Sequence, residues 1–416
     1  MAVPPHLLRG IASAQSNPLN VRQNAQNSLR VTEGMLAKRA SGRQGFIPNY
    51  MLRHIAESKH VADDSRSGAR RTHELTDRLL RGRSFPFPAP VPGPAASKRA
   101  PGPTPKSAPT SAAVSAAEAD EGRNINRAVY DAKNTENEQD LPGDVVRVEG
   151  QSEVGDVAVN QAFDNVGKVL QMYKDKFDWA SIDNKNMHVT SSVHFGKKYE
   201  NAFWDPERMQ MVFGDGGEFL NNFTGTIDVI GHELTHAVTE HTSPLDYHGM
   251  SGALNEHVSD VFGIMVKQID ENEKSSEADW LIGEGCIMPG VKGVALRSMK
   301  EPGTAYDDPR FGKDPQPSHF RDYVPTFEDN GGVHIYSGIP NKAFYLASVG
   351  LGGFSYEKAG PIWWRTMTSG RVPASCNFLQ FADITVEVAE ELYGADAGKT
   401  VREAWDEVGV TKDGSN

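Results

Sequence analysis

Asp228-Val-Ile-Gly-His232-Glu233-Leu-Thr-His236-Ala-Val-Thr-Glu240 is the stretch on which the reading of this chain turns. His232 and His236 stand four residues apart, so on a helix both imidazoles leave the same face and can reach one ion. Neutral imidazole is a good zinc ligand, and Glu233 follows the first histidine, placed to take a proton from an attacking water. Random order would produce this pattern in roughly 3% of chains of such composition, so the neighbouring sequence has to support it.

It does so downstream. Asn255-Glu256-His-Val-Ser-Asp260 leads into an apolar run. Catalytic zinc commonly takes two imidazoles and a carboxylate and keeps a fourth position open, so Glu256 on a second buried helix completes the set. Asp260, one helical turn on, is expected to accept the second ring proton of a ligand histidine, and Asn255 to orient the other. His257 is an additional candidate ligand, although its neighbouring position turns it off the Glu256 face. Further along, Phe327-Glu-Asp329-Asn-Gly-Gly-Val-His334 offers a loop histidine able to stabilise an oxyanion, with Asp329 orienting its ring. Asn201, Tyr247 and Arg297 say nothing in isolation.

The 416 residues carry a net charge of −12, which speaks against a nucleic-acid partner. No stretch of eighteen uncharged apolar residues exists, so no membrane-spanning helix is expected. The first residues lack a basic region followed by an apolar run. That leads to an expectation of no signal peptide, synthesis in the cytoplasm and, at most, export by a non-classical route. Cys286 and Cys376 are too few for a thiolate cage and are expected to be free thiols.

The charge is unevenly distributed. Residues 1–122 hold 17 Lys+Arg against 9 Asp+Glu, whereas 123–416 hold 26 against 46. A basic arm of +8 beside a body of −20 implies two separately built parts that attract each other. Between them, residues 84–122 concentrate nine of the 25 prolines among Ala, Ser and Lys, the composition of an extended linker. Ahead of the linker, residues 1–83 repeat with a 44-residue period. Val3-Pro-Pro-His-Leu-Leu-Arg-Gly-Ile-Ala12 meets Ile47-Pro-Asn-Tyr-Met-Leu-Arg-His-Ile-Ala56, and the two copies span about 3–39 and 47–83. Each copy reads as a proline-started short helix, a polar turn and a second amphipathic helix. Two such units have too little core to stand alone and must pack on something.

At this point the chain resembles the thermolysin family of zinc endopeptidases. The resemblance rests on the His232–His236 helix, the Asn255-Glu-x-x-Ser-Asp260 segment and the Asp329-Asn-Gly-Gly-Val-His334 loop. Asn201-Ala-Phe-Trp-Asp205, Gly214-Asp-Gly216, Tyr247 with Ser251-Gly-Ala253, and Arg297-Ser-Met299 occur in the same order. It covers about Val129 to Val410 and implies an α+β fold. A β-rich catalytic lobe (123–242) would end in the zinc-binding helix, and a helical lobe (243–416) would follow. Periodicity agrees, with strands at 187–194 and 209–214 and helices at 342–351, 378–392 and 395–408.

The resemblance also implies roles. Its zinc ligands match His232, His236 and Glu256, its base matches Glu233, and its oxyanion donors match Tyr247 and His334, with Asp329 behind the latter. Asn201 and the Ala202 carbonyl match positions that grip the substrate backbone, and Arg297 matches a carbonyl-binding arginine. Phe223, Val229, Ile282 and Leu296 match an apolar pocket for the side chain just after the cleaved bond, with Cys286 in its wall. The family's double calcium site is acidic. Here Asp228, Asp279 and Glu284 fit that pattern, but Lys267, Leu281 and Gly285 stand where acids are expected, so no calcium is expected there.

Pro4-Pro-His-Leu-Leu8 resembles the propeptide start of protealysin-like members, and Pro48-Asn-Tyr-Met-Leu52 resembles a second copy. The resemblance implies a latent precursor, expected as a monomer, whose N-terminal region inhibits its own catalytic body. The implied activity is hydrolysis on the N-terminal side of bulky hydrophobic residues. The alternatives are a zinc aminopeptidase and a permanently inhibited binding protein whose repeats dock a partner.

Overall fold

The computed structural model describes residues 47–81, 125–217, 220–309 and 312–412. The first repeat copy and the proline-rich linker lie outside these.

Helices α1 (Asn49–Glu57) and α2 (Asp63–Arg81) form the second repeat copy, and Pro48 precedes the first turn, where its missing N–H costs nothing. The sheet lobe begins with β1 (Arg127–Asp131) and β2 (Asp144–Val148), followed by the long helix α3 (Val157–Phe177). Asp156 starts α3 by accepting from the N–H groups of Ala158 and Val159. Strands β3 (Val189–Val193), β4 (Ala202–Asp205) and β5 (Gln210–Phe213) complete a five-stranded sheet of order β2-β1-β3-β5-β4. The inner pairs β1–β3 and β3–β5 are parallel, and the outer pairs are antiparallel. β4 is therefore an edge strand, and its unpaired side matters for the site.

Helices α4 (Ile227–Thr242) and α5 (Gly249–Glu271) run through the centre and are buried along most of their length. Two glycines set their separation. A Cβ on Gly231 would lie 3.0 Å from the Gly263 Cα, and one on Gly263 would lie 2.6 Å from the Asp228 carbonyl oxygen. Neither position has room for a side chain, and this close approach lets α5 reach the ligands on α4. An irregular turn opens α6 (Asp329–Tyr336), where Asn330, Gly331 and Gly332 all have positive φ, which explains the Asn-Gly-Gly sequence. Helices α7 (Gly338–Leu351), α8 (Ala359–Thr368), α9 (Phe378–Tyr393) and α10 (Ala395–Glu407) complete the helical lobe. Among the described residues no helix is long and apolar enough to cross a membrane. Both cysteines are free and buried.

The second repeat copy lies on the body through several contacts. Ile47, Met51, Leu52 and Ile55 are buried in one continuous apolar cluster with Phe223 and Val229, while Leu75 joins Phe195, Tyr199 and Phe203. The Thr72 hydroxyl bridges the Lys198 carbonyl and the Glu200 N–H at 3.4 and 3.3 Å, and Ser58 donates to the Pro309 carbonyl at 2.9 Å. Arg53 pairs with Glu328 at 3.3 Å.

Candidate active site

His232, Glu233 and His236 face inward from α4, and Asn255, Glu256 and Asp260 face them from α5. The His232 and His236 Nε2 atoms are 3.1 Å apart, and the Glu256 carboxylate lies 3.3 Å from the first and 3.4 Å from the second. Both imidazoles are oriented from behind. Asp260 accepts from the His232 Nδ1 at 2.8 Å, and the Asn255 carbonyl oxygen accepts from the His236 Nδ1 at 2.8 Å. The Asn255 amide donates to the Leu245 carbonyl, which fixes the oxygen toward the ring. With the ring protons on Nδ1, two Nε2 lone pairs point at each other, an arrangement that needs a cation between them. Ligands about 2.0–2.1 Å from a tetrahedral zinc stand about 3.3 Å from one another, which matches these three separations. The donor set therefore fits zinc.

Asp260 is itself held in place. Arg297 grips its two oxygens at 2.9 and 2.7 Å, and the Asn341 amide donates to it at 2.8 Å. The Arg297 fork is thus directed at Asp260 behind the triad. Burial opposes ionisation of Asp260, but Arg297 and His232 outweigh it and lower its pKa. Burial likewise works against the Glu256 carboxylate, and the His334 and His232 imidazoles outweigh it. His257 faces away from the triad. Its Nδ1 meets the Asn341 carbonyl oxygen and its Nε2 accepts from the Trp363 indole, both at 2.8 Å, which removes it as a ligand candidate.

Glu233 is buried, and one of its carboxylate oxygens accepts the Trp204 backbone N–H at 2.9 Å. The other has no partner among the described residues and points into the cavity. Burial pushes this carboxyl up to about 8, and a cation at the triad would draw it back down. Opposite, the His334 Nε2 lies 3.4 Å from Glu256, and Asp329 accepts from both the His334 Nδ1 (2.7 Å) and its backbone N–H (2.8 Å). Burial alone would lower the His334 pKa, yet Glu256 and Asp329 hold it up at about 9. The Tyr247 hydroxyl donates to Glu256 and lies 3.5 Å from the His334 Nε2. Burial raises the Tyr247 phenol, which keeps its proton. Trp204, Glu233, His236, Tyr247 and Asn255 help line a cavity of about 240 Å³ at this place.

The Trp204 N–H turns toward Glu233, away from β5, so the Ala202 C=O, two residues earlier on the same edge, faces away from β5 as well, while the Ala202 N–H donates to the Asn201 side-chain oxygen at 2.9 Å. Next to it, Asn201 holds the backbone of Ile47. Its carbonyl oxygen accepts the Ile47 N–H at 2.7 Å, and its amide donates to the Ile47 carbonyl at 3.1 Å. Phe223, Val229, Ile282 and Leu296 are all buried in the same core, with the Leu296 N–H on the Ile282 carbonyl at 2.9 Å. Cys286 is buried near Thr226, and burial raises its thiol pKa, so it is inert. Sequence reasoning did not find the Trp204 N–H or Asn341. A backbone donor has no side-chain signature, and Asn341 is an ordinary helix residue until it meets Asp260.

Comparison with known proteins agrees with this geometry. Residues 111–240 match the family "Thermolysin metallopeptidase, catalytic domain", and residues 243–410 match "Thermolysin metallopeptidase, alpha-helical domain". Protease PrtS of Photorhabdus sp. (strain Az29) is 50% identical over 290 residues, covering 69% of this chain and 76% of that protein. An extracellular metalloprotease of Pectobacterium carotovorum subsp. carotovorum is 48% identical over 286 residues, covering 68% and 81%. Among solved structures, the precursor of protealysin, a metalloproteinase from Serratia proteamaculans, matches with a TM-score of 0.74 and 42% identity. That match covers 88% of this chain and all of the other.

Replacing Asn255 by Ala removes the acceptor that orients His236. Zinc affinity, measured by competition with a chelating dye, should fall about 10- to 100-fold with the fold intact by circular dichroism.

Proposed function

The chain belongs to the thermolysin metallopeptidase family, and from that membership we propose a zinc endopeptidase that cleaves before bulky hydrophobic residues and is kept latent by its own N-terminal region. The observation that carries the latency is the pairing of Ile47 with Asn201, because a substrate backbone would need the same two hydrogen bonds. The apolar group of Phe223, Val229, Ile282 and Leu296 supports the preference for a bulky hydrophobic side chain.

Zinc held by His232, His236 and Glu256 would supply a Lewis acid that polarises the scissile carbonyl and acidifies water. Glu233 accepts the proton of the attacking water on its unpartnered oxygen and passes it to the leaving amine. Trp204 keeps that carboxylate aimed while the proton moves. Tyr247 and His334 donate to the oxygen on which negative charge develops, and Asp329 preserves the charge and orientation of His334. Asn201 and the Ala202 carbonyl hold the substrate backbone beside the edge strand. Arg297 acts from behind by holding Asp260, which orients His232.

The test compares initial rates of the full-length chain and a chain starting at Arg123 on a peptide blocked at its N-terminus. The peptide carries Leu or Phe after the scissile bond. The short chain should be faster by tenfold or more, and equal rates would remove the latency. Failure of both chains on the blocked peptide with cleavage of the free one would point to an aminopeptidase. Glu233→Gln should keep stoichiometric zinc by elemental analysis while turnover falls by about 10²- to 10⁴-fold.

We also assign Lys267 the place of an ion. Its ammonium lies 3.1 Å from Asp279, 3.0 Å from Glu284 and 3.3 Å from the Leu281 carbonyl. Burial works against this charge, but Asp228, Asp279 and Glu284 outweigh it and raise the Lys267 pKa. A cation fixed there covalently makes a calcium ion redundant. Selective calcium chelation should therefore leave the melting temperature unchanged, and a large drop would contradict the assignment.

A further inference from the structure

We propose that the first repeat copy, residues 3–39, is a second inhibitor for the seat now taken by residues 47–81, so that a chain losing the grip of one copy stays latent through the other. This rests on the latency reading above and goes beyond it.

The argument comes from which positions of the repeat have kept their chemistry. In the docked copy, Ile47, Met51, Leu52, Ile55, Thr72 and Leu75 are all buried. At the 44-residue offset they become Val3, Leu7, Leu8, Ile11, Ser28 and Val31. These apolar anchors remain apolar and of similar size, and only Val61, buried in the same cluster, becomes a polar residue, Asn17. The one hydroxyl that bridges the Lys198 carbonyl and the Glu200 N–H remains a hydroxyl. Pro48, which leads Ile47 into α1, is matched by Pro4. Ile47 meets Asn201 through backbone atoms alone, so Val3 can make the same pair.

The solvent side behaves differently. Exposed Glu57, Lys59, His60 and Asp63 correspond to Ser13, Gln15, Ser16 and Leu19 and lose their charge, whereas exposed Arg53, which pairs with Glu328 of the body, is kept as Arg9. A duplicate with no seat to fit would lose its buried and exposed chemistry alike. The remaining departures are mild: buried Ser65 becomes Val21, an apolar residue. Asn24 replaces Gly68, where an added Cβ meets nothing within 4 Å. Pro18 replaces exposed Ala62 at the entry to α2, a position where proline is accepted. Ala14 replaces Ser58 and forgoes the bond to the Pro309 carbonyl, so the first copy should bind more weakly, by about tenfold. The first copy is joined to Ile125 by 44 more residues than the docked copy, whose shorter connection already reaches the seat.

The test uses full-length variants assayed for initial rate on the blocked peptide. One breaks the docked copy (Leu52→Glu with Thr72→Ala), one breaks the first copy (Leu8→Glu with Ser28→Ala), and one breaks both. Each single variant should stay within about tenfold of the latent parent, because the weaker copy gives up about that factor. The combined variant should approach the chain that starts at Arg123. A docked-copy variant as active as the combined one overturns the proposal. A second measurement adds synthetic peptides 1–46 and 45–83 to the matured enzyme. Inhibition by both, competitive with substrate and within about tenfold of each other, supports the proposal. Inhibition by 45–83 alone overturns it and leaves the latency reading standing, whereas inhibition by neither removes both.

Discussion

Two imidazole lone pairs pointing at each other across 3.1 Å form the constraint around which this molecule is organised. Without a cation that arrangement is repulsive, and with one it becomes part of a tetrahedron. Keeping it in place takes a set of buried polar partners. Asp260 and Asn255 hold the two rings, Arg297 and Asn341 hold Asp260, and Glu256 closes the third corner. Each of these groups costs free energy to bury unless its partner is present, so the members of the network support one another. The glycine contact at Gly231 and Gly263 is the steric condition for it, since α5 would otherwise stand too far from α4.

The same geometry brings Glu233 and the second repeat copy to one edge strand. β4 pairs with β5 on one side only, so its other side offers backbone groups to any extended chain. Trp204 spends one of these groups on Glu233, which ties the position of the base to the strand that receives the substrate. Beside them, Asn201 is engaged by Ile47. Those two hydrogen bonds are worth only about 1 kcal/mol each, and full burial of a side chain such as Ile47, Met51 or Leu52 about 1.5–3 kcal/mol. Hydrophobic contact thus supplies most of the grip, and the hydrogen bonds set its register.

Much of the fold and site could be read along the chain. The strands over 189–193 and 210–213 and the helices that begin at Gly338, Phe378 and Ala395 follow from apolar periodicity. The ligands were legible because four-residue spacing on a helix is a local property, and Gly331 and Gly332 marked a turn that only positive φ allows. Arg297 was legible in part. Family resemblance matches it to a carbonyl-binding arginine, and its contact with Asp260, made through Nε and one terminal nitrogen, depends on a strand and a helix far apart in sequence meeting in space.

The sequence by itself determined the ligand types, the helix that carries two of them, the duplication, and the charge imbalance between the basic arm and the acidic body. These are properties of composition and short-range spacing, and a chain states them whether folded or not. Only the tertiary structure decided that the Trp204 N–H holds the base, that Asn341 joins the Asp260 network, and that the second repeat copy occupies the Asn201 site. Each of those is a contact of a few ångströms between residues tens to hundreds of positions apart. Such contacts arise from how helices and strands pack, which no local pattern encodes.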